Sequence, residues 1–327
     1  MIATRPLLEV PLLVVKDLCV DYQTDRGPVR AVDHVSLDVT KGEFLGIVGE
    51  SGCGKSTLLY AISRLLTPPA EISSGHVTFE GHDMVSIEEA ELRHFRWRRY
   101  SVVMQSAMNA LNPVMTIGEQ LRDAFEAHEP LTKREILARS EQLMHLVGID
   151  SVHLRSYPHQ LSGGMRQRAM IAMALAFTPD LVIMDEPTSA LDVVAQRSLM
   201  VKIKQLQREF AFAAIFVTHD MSLVSQFSDR IAVMYAGQVV EVGGTREVFA
   251  EPKHPYTAGL MRSFPSITGP LQALSGIAGA PPDLAHPPNG CRFHPRCPRV
   301  MDRCRTDHPD FYAQENDLVR CFLYDHA

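Results

Sequence analysis

No run of about 18 apolar residues occurs in this 327-residue chain, so nothing in it is long enough to cross a bilayer as a helix. The richest stretches, Leu7 to Val15 and Met170 to Phe177, are too short or carry polar breaks. An export signal is not expected either: the opening MIATRPLLEVPLLVV has one Arg, and its prolines and Glu9 interrupt the apolar segment. There is no internal repeat and no low-complexity tract. Positive charge is not in excess. The 32 Lys and Arg against 38 Asp and Glu leave −6, which argues against a general nucleic-acid binder. Cysteine is scarce along most of the chain, with only Cys19 and Cys53 before the last forty or so residues. A cytosolic protein is the expectation, and structural disulfides are rare in that compartment.

What is present is ordinary globular material, 46% hydrophobic and 21% charged. Up to about residue 105 strand-like and helix-like segments alternate. LLVVKDLCVDY (12–22) and AVDHVSLDVT (31–40) read as strands, and EFLGIVG (43–49) as a strand buried in a sheet. A glycine-rich turn and the helix-like KSTLLYAISRLL (55–66) follow. From about 106 to 165 the pattern is helical, after which LVIMDEP, VAQRSLMVKIKQLQREF, AAIFVTHD and IAVMYAGQVVEVG restore the alternation. The fold class expected is α/β with a helical insertion. Beyond Ala250 prolines, glycines and cysteines become dense, which marks a small appended module at 251–327 after a main domain at 1–250.

Three motifs carry chemistry. GESGCGKST (49–57) fits G-x-x-x-x-G-K-[ST] between a buried strand and a helix. Gly49, Gly52 and Gly54, with Ser51 and Cys53 between them, allow backbone N–H groups to converge on a phosphate chain, and the helix N-terminus at Ser56 and Thr57 adds positive charge. Lys55 reaches the terminal phosphates and the Ser56 hydroxyl suits Mg²⁺. LVIMDEP (181–187) ends a strand in two carboxylates: Asp185 suits Mg²⁺, and Glu186 suits a general base for the attacking water. LSGGMRQR (161–168) opens a helix with Ser162, Gly163 and Gly164, a second anion cradle. One nucleotide needs one cradle per chain, so the second makes sense over a nucleotide held by another subunit.

These motifs resemble the ATP-binding-cassette (ABC) ATPases, whose signature LSGGMRQR matches. The resemblance implies the P-loop NTPase fold of that family: a RecA-like core, an antiparallel β-subdomain and a helical subdomain at about 106–165. It also assigns further residues. Tyr22 would stack on adenine, Gln105 would touch Mg²⁺ and sense a membrane partner, Asp192 of SALD would lie at a dimer interface, and His219 would contact the γ-phosphate. QSAMNALNP (105–113), YPHQLSGGM (157–165), VMYAGQVVEVG (233–243), HPYTAGLM (254–261) and the cysteine tail resemble the oligopeptide/dipeptide importer ATPases in particular. Ser106-Ala107 departs from the family's Asp-Pro pair, at a segment expected to face membrane subunits.

Cys291, Cys297, Cys304 and Cys321 are spaced C-x5-C-x6-C-x16-C, without the tight knuckles of zinc sites. A four-thiolate iron–sulfur cluster tolerates wide spacing, and Cys297-Pro resembles a ferredoxin-type run. The importer ATPases that the tail resembles are associated with a 4Fe–4S cluster there; zinc and free or disulfide-bonded thiols remain alternatives. Arg292, Arg296, Arg299, Arg303 and Arg305 are expected to offset the charge of such a site. The tail is expected to hold a cluster whose loss is structural and spares the ATP site.

The resemblance implies a peripheral ATPase on the cytoplasmic face of the cell membrane, energising import of dipeptides or oligopeptides. ATP and Mg²⁺ are its cofactors. Its partners would be two transmembrane permeases, a second ATPase (a paralogue more often than a copy) and, indirectly, an extracytoplasmic substrate-binding protein. Oligosaccharide or nickel import is the alternative within the branch. A soluble ABC ATPase acting on DNA or ribosomes is disfavoured by the single cassette, and a purely regulatory subunit by the presence of Lys55, Glu186 and His219.

Overall fold

The computed structural model describes residues 10–105, 110–189, 191–263 and 276–325. The chain forms two compact units, one of residues 1–87 with 219–327, the other of 88–218.

The first unit contains two sheets. β1 (Leu13–Tyr22), β2 (Val29–Val39), β4 (Ala70–Phe79) and β5 (His82–Asp83) make an antiparallel sheet in the order β2-β1-β4-β5. In β2 the buried Val35, Leu37 and Val39 alternate with the half-buried Ser36 and Asp38, so one face meets the core. The other sheet holds β3 (Phe44–Val48), all five residues of it buried, beside β9 (Arg230–Tyr235), to which it runs parallel. The segment 231–243, which reads as a single strand, is a hairpin. It turns at Ala236-Gly237, both at positive φ, and returns as β10 (Gln238–Gly244). The glycine loop joins β3 to α1 (Lys55–Ile62).

The second unit has three parallel strands, β6 (Tyr100–Val103), β7 (Leu181–Asp185) and β8 (Ala213–Val217), with β7 in the middle. Around them lie α2 (Glu89–Phe95), α3 (Ile117–His128), α4 (Lys133–Leu146), α5 (Gly163–Ala174) and α6 (Val193–Phe210). Sequence dictates the starts of α3 and α4: Thr116 with Glu119, and Thr132 with Glu135, form reciprocal capping boxes. An N-cap of this kind is worth about 1 kcal/mol. Ile117, Leu121, Ala124 and Phe125 give α3 its buried stripe, and Phe125 meets Phe177 edge-on with centroids 5.4 Å apart.

The cysteine-rich tail is built into the first unit. After α7 (Met221–Phe227) and the β9–β10 hairpin come α8 (Thr245–Ala250) and α9 (Pro255–Arg262). The fully buried Glu241 of β10 accepts hydrogen bonds from the amides of Lys253 and His254, both at 2.9 Å. Lys253 in turn pairs with Asp317 at 2.7 Å. Asp317 begins β12 (Asp317–Val319), which hydrogen-bonds to β10 and to β11 (Tyr312–Gln314), so the tail extends the sheet that holds β3. Phe293, between the first two tail cysteines, is buried against Tyr235, Tyr256 and His254, with centroids 5.1–5.8 Å away. Burial lowers the His254 pKa to about 3, and its neutral Nδ1 accepts the Tyr256 amide.

Candidate functional site

In the first unit the glycine loop closes around Lys55. The Lys55 side chain is buried, and its Nζ donates to the carbonyls of Gly49 (2.8 Å) and Glu50 (2.9 Å). Two positions demand glycine. A Cβ at Gly49 would lie 2.2 Å from the Met234 carbonyl oxygen, and one at Gly54 would lie 2.2 Å from that of Ala31. Gly54 also has φ +101°, which side chains rarely adopt, and it opens α1 with no side-chain cap. A helix that opens this way directs its N-terminal N–H groups and positive dipole end towards the loop, an arrangement suited to an anion. Ser51 and Gly52 are exposed, Ser56 and Thr57 half-buried, and Cys53 buried, with its thiol pKa raised by that burial. The Tyr22 hydroxyl lies 3.2 Å from Thr57 Oγ1, which puts the end of β1 beside the start of α1. His219 is exposed, next to Asp220, whose carboxylate caps α7.

The second unit carries a separate group. Asp185 ends β7 fully buried, and Glu186 follows in a left-handed turn at φ +46°. The Glu186 amide donates to the Val217 carbonyl at 3.0 Å, and its carboxylate accepts from Gln105 Nε2 at 2.9 Å. The sequence thus brings two of its candidates, 81 residues apart, into direct contact. Ser162 is the N-cap of α5, accepting from the Met165 amide, and Gly163 and Gly164 form the first turn. Asp192 caps α6 through the Ala195 amide at 2.9 Å. Ala190 of SALD and the Ser106-Ala107 pair lie outside the described residues.

The four tail cysteines carry no disulfide; Cys304 and Cys321 are buried, Cys291 and Cys297 half-buried. Burial, then mutual charge, raises the pKa of Cys291 to about 12 and that of Cys321 to about 11, and Cys297 is raised in the same way. No three of these sulfurs lie within 4.8 Å of one another. Among the described residues one trio of ligand atoms is that close, on Cys19, Asp33 and His34. Its only carboxylate is already neutralised, since Asp33 pairs with Arg292 at 2.9 Å.

The arginines expected to surround a metal site are largely engaged elsewhere. Arg296 makes a two-pronged ion pair with Glu50 of the glycine loop, Nη1 to Oε2 at 2.7 Å and Nη2 to Oε1 at 3.0 Å. Arg292 pairs with Asp33 and donates to the Ala236 carbonyl. Arg303 pairs with Asp325 at 2.7 Å and lies over the Phe322 ring. Arg299 remains near Cys297, donating its amide to the sulfur. The Tyr256 hydroxyl also reaches the loop, accepting from the Glu50 amide at 2.9 Å. Sequence reasoning missed Glu50 and Tyr256, gave Arg292 and Arg296 a different role, and took the tail as separate from the ATP site. The sole hint was five invariably charged arginines crowded near the thiols, a pattern that does not name a partner over 200 residues away.

A glycine loop around a buried lysine, strand-end carboxylates and a second glycine-opened helix define a P-loop nucleoside triphosphatase. Residues 32–189 match the family model described as ABC transporter, and 240–304 that described as Oligopeptide/dipeptide transporter, C-terminal region. The chain is 42% identical to the dipeptide transport ATP-binding protein of Bacillus subtilis strain 168 over 318 residues, 96% of this chain and 95% of the relative. It is also 42% identical to the oligopeptide transport ATP-binding protein of Escherichia coli K12 over 325 residues, 98% and 96%. A solved ATP-binding cassette, dimeric and bound to ADP and phosphate after hydrolysis, superposes with TM-score 0.65 at 28% identity, over 72% of this chain and 99% of that one. The chain belongs to the ABC transporter family, in the branch of dipeptide and oligopeptide transport ATP-binding proteins. It is an ATP-hydrolysing transporter subunit with the ABC-type α/β fold, and that family implies membrane permeases as partners. No described helix is long and apolar enough to cross a membrane.

Proposed function

We propose that this chain hydrolyses ATP to energise peptide import, docked on the cytoplasmic face of two permeases. The observation that carries the peptide assignment is coverage: the likeness to dipeptide and oligopeptide transport proteins runs through the tail as well as the cassette. In this reading Lys55 and the loop amides hold the phosphates, Ser56, Gln105 and Asp185 serve Mg²⁺, and Tyr22 packs against adenine. Glu186 takes the proton of the attacking water, and His219 contacts the γ-phosphate. Gln105, hydrogen-bonded to Glu186, links the Mg²⁺ position to the base. Ser162, Gly163, Gly164 and Asp192 act on nucleotide held by a second, paralogous ATPase. A substrate-binding protein outside the membrane delivers the peptide. Peptide dependence of ATP hydrolysis in the assembled transporter tests the reading.

The tail cysteines are proposed ligands of a 4Fe–4S cluster. The donor set suits it, because burial raises the thiol pKa of Cys291, Cys297 and Cys321, and bound cations would compensate the thiolates that form there. Sulfurs around one tetrahedral zinc at about 2.3 Å would stand roughly 3.8 Å apart, closer than any three do here. Such a cluster would supply a crosslink of the chain, and hydrolysis would need no chemistry from it. Protein purified without oxygen is expected to be brown, with iron and inorganic sulfide, and Cys297→Ser to bleach it and expose the tail to protease. Colourless protein with one equivalent of zinc would assign the site to zinc. Metal-free protein with a protease-resistant tail would remove both.

A further inference from the structure

The seven residues from Cys291 to Cys297 reach the beginning of the glycine loop directly and its far side through the β9–β10 turn. At the beginning, the Arg296 fork grips the Glu50 carboxylate while Tyr256 takes the Glu50 amide. The Glu50 carbonyl then receives Lys55 Nζ, so one residue joins tail, loop and lysine. At the end, Arg292 donates to the Ala236 carbonyl, and the next residue, Gly237, donates its amide to the Cys53 carbonyl at 2.9 Å. Between the two arginines Phe293 is buried against Tyr235 and Tyr256. The Arg296 side chain is only 5% exposed, so solvent screens this pair little.

From these contacts we propose that Arg296 is a positioning residue for nucleotide binding: through Glu50 it holds the loop, and with it Lys55, in the shape that receives phosphate. The inference rests on the reading of that loop as the ATP site. The cysteine module is thereby coupled to nucleotide affinity, and whatever orders the segment 291–297 tightens the loop. Charge alone does not explain the geometry, since a parallel pair of N–H···O bonds fixes the carboxylate plane as well as its position. Arg303 is the built-in comparison, because its partners Asp325 and Phe322 both lie within the tail.

The test is equilibrium binding of a fluorescent ATP analogue with Mg²⁺ to the full chain. Arg296→Ala and Glu50→Gln are each expected to weaken binding on the order of ten-fold, a usual size for coupling between sites. The double variant should be no weaker than the weaker single one, because both remove the same contact. Arg296→Lys, which keeps the charge without the fork, should recover part of the loss, and it serves if the alanine variant does not fold. Arg303→Ala should bind as the wild type does. Unchanged affinity in the Arg296 variants, additive losses, or an equal loss in Arg303→Ala would each overturn the clamp. A wild-type chain that fails to bind the analogue would overturn the ATP-site reading and the clamp with it.

Discussion

With Glu186→Gln, MgATP binding is expected to persist while turnover falls by about 10²–10⁴-fold, the range for loss of a general base. The substitution is nearly isosteric, so the left-handed turn and the amide bond to Val217 survive it. What is lost is proton-accepting capacity at the position that Gln105 orients. Steady-state hydrolysis by the assembled transporter, alongside nucleotide affinity, separates the two effects. A variant turning over at near wild-type rate would remove Glu186 from the role, and one that fails to bind would mean that the carboxylate serves the metal instead.

Gly163→Trp is expected to abolish ATP-driven association with the partner ATPase while the isolated chain keeps its own nucleotide affinity. Gly163 is the first residue of α5, whose cap, Ser162, is exposed. The helix is twelve residues long and has no acidic residue in its first turn, so no carboxylate of that turn competes for its N-terminal N–H groups. An indole there would cover them against any phosphate brought by another subunit. Sedimentation of both ATPases with ATP, in the hydrolysis-impaired background, reads the association. Loss of binding by the isolated chain as well would place this cradle in cis and overturn the two-subunit arrangement.

The motifs were legible because local chemistry dictates them: Gly49 and Gly54 tolerate no Cβ, and Lys55 must open a helix. The capping boxes at Thr116 and Thr132 likewise announce α3 and α4 to within a residue. Two kinds of information were not local. The hairpin at Ala236-Gly237 hides in a largely apolar run, because both strands are almost wholly buried and show no alternation. The tail's attachment depends on pairings such as Arg296 with Glu50, 246 residues apart, and on β12 joining β10. Composition suggested a small appended module; β12 makes it part of the sheet that carries the glycine loop, and the buried Glu241, the Lys253–Asp317 pair and Phe293 anchor it there.

The central claim is that this chain spends ATP to move peptides. The most direct measurement uses proteoliposomes containing the chain, its two permeases and the partner ATPase, with ATP on the side of the ATPases. Loaded binding protein is supplied on the opposite side. Hydrolysis should rise when a di- or oligopeptide is added, labelled peptide should accumulate on the ATP side, and Glu186→Gln should stop both. Hydrolysis and uptake that ignore peptide and respond to an oligosaccharide or nickel would contradict the account.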